Sequence, residues 1–250
     1  MLRIDQRNFI RALSWASLSV GALSLAPRAN AVPVSIPGIS TLQDLINTGN
    51  AGIIIGDKQF YNFQYTGTTG TNPAPLATQI TVLQPDAAIQ GFRFSANWSS
   101  AGGQNQDSLI SYSVHVLDSA PLDFVGPVGL DFDGTATGGP PSGPGLDVST
   151  VTEKVISLDG FTNYGTLNVI DFGPGNPSDI DSTSSTPIAG LRDIRLTKDI
   201  QVRSSATSFE AGTATITFVD NTFQQVPEPA SIGLLAIAAG GILARRRKID

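Results

Sequence analysis

The sequence predicts an all-β chain: an antiparallel β-sandwich of the jelly-roll or immunoglobulin-like kind, with one short N-terminal helix. Three observations predict it. Runs of alternating polar and apolar residues recur through the middle of the chain. Gly, Pro, Asn and Asp cluster between these runs, as tight turns require. Only one stretch of the body carries a helical pattern. About ten strands, one helix and many short turns pack most simply as two facing sheets.

The helix is expected over residues 40–49. Ser40 is read as its N-cap, with Gln43 completing a capping box. Leu42, Leu45 and Ile46 share one face, and Gly49 stops the helix. Strands follow at 53–55, 60–65, 78–83, 89–95, 109–117, 150–158, 167–172, 191–197, 199–203 and 213–218. In the second, Tyr61, Phe63 and Tyr65 are separated from Asn62 and Gln64. In the fourth, Phe92 and Phe94 oppose Arg93 and Ser95. The clearest alternation is in the fifth, where Ile110, Tyr112, Val114 and Val116 point one way and Ser111, Ser113 and His115 the other. The Gly/Pro-rich stretch 134–145 reads as a loop.

Both ends of the chain differ from this body. Arg3, Arg7 and Arg11 precede an apolar stretch over 12–26, and Ala29-Asn30-Ala31 offers small residues where a signal peptidase reads them. That order is a secretory signal peptide, with cleavage expected after Ala31. At the other end, Pro227-Glu228-Pro229 precedes an apolar run over 230–244, then Arg245, Arg246, Arg247 and Lys248. As a transmembrane helix the run would span about 22 Å at 1.5 Å per residue, short of a hydrocarbon core of about 30 Å. It is therefore a marginal anchor. The basic cluster stays cytoplasmic, so the body faces away from the cytoplasm. The expected division is 1–31 signal peptide, 32–225 sandwich domain and 226–250 tail.

Composition narrows the chemistry. The chain has no cysteine, which removes thiol catalysis, zinc–thiolate sites and iron–sulfur clusters. Between the two ends lie seven Lys/Arg and eighteen Asp/Glu, a net charge of −11 for the body against −6 for the whole chain. Such a field disfavours nucleic acid and can attract divalent cations.

The three-part tail resembles the PEP-CTERM sorting signal of Gram-negative bacteria. The likeness covers about the last 25 residues. It implies recognition of Pro227, Glu228 and Pro229 by an exosortase, a membrane-embedded cysteine transpeptidase or protease. It further implies an inner-membrane intermediate with its body in the periplasm, cleavage near the motif, and release or attachment at the cell surface, commonly beside exopolysaccharide. The chain would be the substrate of that chemistry. The stretches 49–66, 109–117 and 198–200 are also loosely similar to a domain often found ahead of this tail, which brings no activity with it.

Candidate chemistry in the body is sparse. His115 is the only histidine, so Ser-His-Asp catalysis would have to use it. Its place on a polar strand face fits a solvent-facing residue. Asp131-Phe132-Asp133-Gly134 begins like a calcium loop without its later ligands. Asp179 and Asp181 form a second oxygen-rich stretch. Calcium would be the cofactor if these acids bind one; otherwise they are turn residues and there is no cofactor. Trp98 and Tyr112 either stack on sugar rings or fill the core. The function expected is a non-enzymatic surface or matrix protein. The alternatives are a carbohydrate-binding module for exopolysaccharide and, third, a secreted hydrolase with two carboxylates converging in a pocket.

Overall fold

The computed structural model describes residues 32–119, 123–137, 147–172, 182–183, 191–207 and 210–227, all within the unit Val32–Asp250. The expected signal peptide with Ala29 and Ala31, the expected loop beyond residue 137, Asp179, Asp181 and the tail from Glu228, including the expected transmembrane run and Arg245–Lys248, lie outside the described residues.

The chain is all-β with one short helix, α1 (Leu42–Asn47). The helix starts one residue later than expected. Thr41, not Ser40, is the N-cap, and Asp44, not Gln43, closes the capping box. The Asp44 carboxylate accepts from the backbone N–H groups of Ser40 and Thr41, and these bonds hold its pKa below the usual carboxylate value. Gln43 donates instead to Asn47, one turn on.

Two antiparallel sheets follow. The first has six strands: β1 (Ile53–Ile55), β2 (Lys58–Gly67), β5 (Asn105–Val116), β10 (Asp193–Arg203), β7 (Val148–Ile156) and β8 (Asn163–Asp171), in that spatial order. The second has five: β3 (Thr81–Leu83), β4 (Gln90–Ala101), β13 (Thr213–Pro227), β6 (Asp123–Thr137) and β9 (Ser182–Thr183). A small hairpin pairs β11 (Ala206–Thr207) with β12 (Glu210–Ala211). The inner faces of the two sheets meet in one core. Phe60 of the first sheet packs edge-on against Phe92 and Phe223 of the second, with ring centroids 4.8 and 5.2 Å apart. This is the sandwich expected from the alternation, and the β5 faces are as read: Ile110, Tyr112, Val114 and Val116 are buried in the core.

Three local readings are corrected. In β2 the alternation breaks. Asn62 adopts a left-handed φ of 56°, and the register with β5 shifts between Tyr61 and Gln64. The bulge turns both Phe60 and Phe63 inward and leaves Tyr61 on the outer face. The expected strands at 191–197 and 199–203 are one strand, β10. Its interrupting Lys198 points into the core. The segment read as a calcium loop and a Gly/Pro loop is, over 123–137, the long strand β6. Asp131 there pairs with Asp220, and Asp133 with Phe218. Glycines and a proline hid the apolar alternation of Val128, Leu130 and Phe132.

The core carries a polar bridge between the sheets. Lys198 pairs across strands with Glu153. Asn221 of β13 donates to Glu153 (2.9 Å) and accepts from the Tyr112 hydroxyl (2.8 Å). All four residues are buried. Burial pulls the Lys198 pKa down against the opposing pull of Glu153, and pushes that of Tyr112 well up.

Candidate functional site

Outward-facing residues of the central strands bring two titratable groups into a cleft. Odd-numbered residues of β5 and β10 point away from the core. Asp199 lies opposite Leu109, and Asp107 opposite Gln201, so the two carboxylates are diagonal neighbours on one face. The end of β2 borders them. Thr66 and Gly67 pair with Leu109 and Ser108, and the Thr68 N–H donates to the Asp107 carbonyl at 2.8 Å. Together Thr66, Gly67, Thr68, Asp107, Leu109 and Asp199 line a shallow cleft of about 440 Å³.

The two carboxylates face each other closely enough for each to feel the other's charge. The Asp199 pKa is pushed up to about 6, first by burial of part of the carboxylate, then by the charge of Asp107 and the bond to it; Lys154 pulls the other way. This arrangement binds a proton near the lower end of the physiological range. Among the described residues there is no group of three or more His, Asp or Glu side chains placed to hold a metal ion.

The residues singled out by sequence fall elsewhere. Asp131 and Asp133 lie on a strand, not a loop. Asp133 accepts from the Thr217 hydroxyl, and Asp131 from the backbone N–H of Phe132. Both add negative potential beside Arg93, which makes a bidentate pair with Asp220 at 2.7 and 2.6 Å. His115 is partly exposed, and its Nδ1 lies 2.8 Å from Asp193 on the neighbouring strand. That supplies two members of a triad, but among the described residues no serine hydroxyl contacts the ring. Trp98 and Tyr112 are core residues. The Trp98 indole N–H donates to Ser108 at 3.0 Å, so neither ring can stack on a ligand.

Sequence reasoning missed Asp107, Asp199 and Phe161. The two aspartates become visible once β5 is extended back to Asn105 and β10 is kept continuous. Phe161 stands at the β7–β8 turn with 90% of its surface exposed. Its turn is tied by Asp159, which accepts from the Ser157 hydroxyl and the Phe161 N–H, and by the Ser157 hydroxyl, which accepts from the Thr162 N–H. A turn read only as polar punctuation gave no sign of an outward aromatic.

A two-sheet, all-β body thus runs directly into the tail. Residues 225–248 match the family model of the PEP-CTERM protein-sorting motif. The chain carries that motif, and the motif implies export toward the cell surface and processing by an exosortase. No curated protein matches the sequence. Among solved structures, the chain is similar to a carbohydrate-binding module from the beta-sandwich super family, at 11% identity and a TM-score of 0.26, over 77% of this chain and 63% of that one. It is also similar to the enzymatically active domain of tailspike protein 4 of Bacteriophage CBA120, at 12% identity and a TM-score of 0.24, over 68% of this chain and 20% of that one. The chain spans less than two thirds of either protein, and similarity at this level carries no functional argument.

Proposed function

We propose that this chain is the precursor of a non-enzymatic surface or matrix protein. Its leader is removed after Ala31. The run 230–244 then holds it in the inner membrane with the body in the periplasm, and an exosortase processes the tail at Pro227-Glu228-Pro229. The mature body is released or attached outside the cell, in the company of exopolysaccharide. The observation that carries this reading is the sorting-motif match at 225–248, joined without a spacer to a two-sheet acidic body. Mass spectrometry of the surface fraction from the native host tests the proposal. The expected mass begins at Val32 and lacks Arg245–Lys248. Intact tails throughout would mean a permanent anchor instead.

A second reading, binding of exopolysaccharide by the body, has one observation in its favour: the hydrogen-bonded turn that presents Phe161 to solvent. An aromatic held in this way can stack on a sugar ring. Retention on a column of the host's exopolysaccharide, lost in Phe161→Ser, would support it. Passage of the unaltered protein without delay would end it.

A further inference from the structure

The sorting motif begins inside the fold. Strand β13 runs from Thr213 to Pro227, while the motif match starts at residue 225. Residues 225–227 therefore belong both to the core sheet and to the signal that the processing enzyme reads.

The two sides of β13 are held unequally at this end. Against β4 the ladder runs from Thr213↔Ala101 only as far as Phe223↔Gln90. Against β6 it continues through Gln225↔Val125 and Val226↔Phe124 to Pro227↔Asp123. Among the described residues, the last three rungs are thus paired on one edge only. A register shift between Phe223 and Gln225 separates them from the doubly paired body. Pro227 has no N–H to donate, which ends the ladder. A bulge followed by single-edged terminal pairs is the part of a strand that opens most easily.

Little chain separates this end from the apolar run. Only Glu228 and Pro229 separate Pro227 from the apolar run that begins at Ala230. Three Cα steps reach about 11 Å. An enzyme that cuts near the motif must surround an extended segment on both sides of the bond, yet on the body side that segment is hydrogen-bonded into a sheet.

We infer that the three rungs Gln225–Val125, Val226–Phe124 and Pro227–Asp123 are a gate. They must part from β6 before the enzyme can take the motif, and the doubly paired strand up to Phe223 stays folded meanwhile. The inference rests on the processing proposed above and deepens it, because it names what the enzyme must displace.

Cysteine cross-links test it, since the native chain has no cysteine to interfere. Opposed residues of an antiparallel pair have Cα atoms about 4.5–5.5 Å apart, within the range a disulfide bridges. In the native host, full-length Phe124→Cys/Val226→Cys locks the gate. Thr135→Cys/Thr215→Cys cross-links the same two strands higher up, at an exposed pair whose hydroxyls already touch at 2.7 Å. The reading is loss of the tail, followed by mass and by gel mobility with and without reductant. The gate-locked chain should keep its tail at least ten-fold longer than either single variant and lose it once reduced. The upper cross-link should process like the unaltered chain. Equal processing of both cross-linked chains overturns the inference. So does equal retention in both, because the obstacle would then be rigidity of the body and not the gate. If the unaltered chain itself keeps its tail, it is the sorting proposal that fails.

Discussion

Lys198 Nζ lies 2.5 Å from Glu153 Oε2, and neither side chain is exposed to solvent. Glu153 uses its other oxygen for Asn221, which reaches from the opposite sheet. The pair therefore sits where the two layers join, and its charges have no water to fall back on. Removing one partner leaves the other buried and uncompensated. Lys198→Met should destabilise the mature protein by about 3–5 kcal/mol, and adding Glu153→Gln should restore most of the loss. Urea denaturation of the single and double variants checks this. A single-variant loss below about 1 kcal/mol would mean that the pair is hydrated.

The Asp107–Asp199 contact predicts a pH dependence. The folded pKa of Asp199, about 6, lies above the 3.8 of a free aspartate. Between these values the folded state holds a proton that the unfolded chain has lost. Stability contributed by the pair is present at about pH 4 and is lost as the pH rises through about 6. Asp199→Asn should remove that slope and raise stability at pH 7. Solvent screening of the exposed carboxylate limits the gain to less than about 1 kcal/mol. Thermal melts from pH 4 to 8 decide the matter; a variant less stable than the parent at pH 7 would contradict the raised pKa.

Gly91 adopts a φ of +148°, and a Cβ there would overlap the Asn221 carbonyl on β13. The close approach holds β4 beside the strand that carries the polar bridge. Gly91→Ala should cost about 2–3 kcal/mol through overpacking. A melting temperature within one degree of the parent would show that the strands can part without loss.

Glu228 stands between the two prolines of the motif. Glu228→Ala should leave the melt of the body unchanged and slow tail removal at least ten-fold, by pulse-labelling in the native host. Processing at the parental rate would show that the carboxylate is not read.

Much of the fold was legible. The β5 alternation, the Phe92/Phe94 face and the three-residue strand at 53–55 stand as read. These are local patterns, decided by side chains two residues apart. The failures have physical causes as well. Asn62 in β2 inserts a residue that reverses the alternation. Gly129, Gly134 and Pro127 gave β6 the look of a loop, although its ladder with β13 spans its whole length. Lys198 looked like a strand break because a lone lysine belongs in water. It becomes a core residue only when Glu153, distant in sequence, arrives opposite it.

By itself, the sequence determined the class of the fold, the acidic character of the body and the sorting tail, because alternation, composition and contiguous motifs are written in order along the chain. Only the tertiary structure decided which charges lie inside, which two aspartates meet on one outer face, and that the sorting motif starts on a paired strand. Each of these depends on register between segments far apart in sequence. A shift of one residue in any of those pairings would send every side chain concerned to the other face.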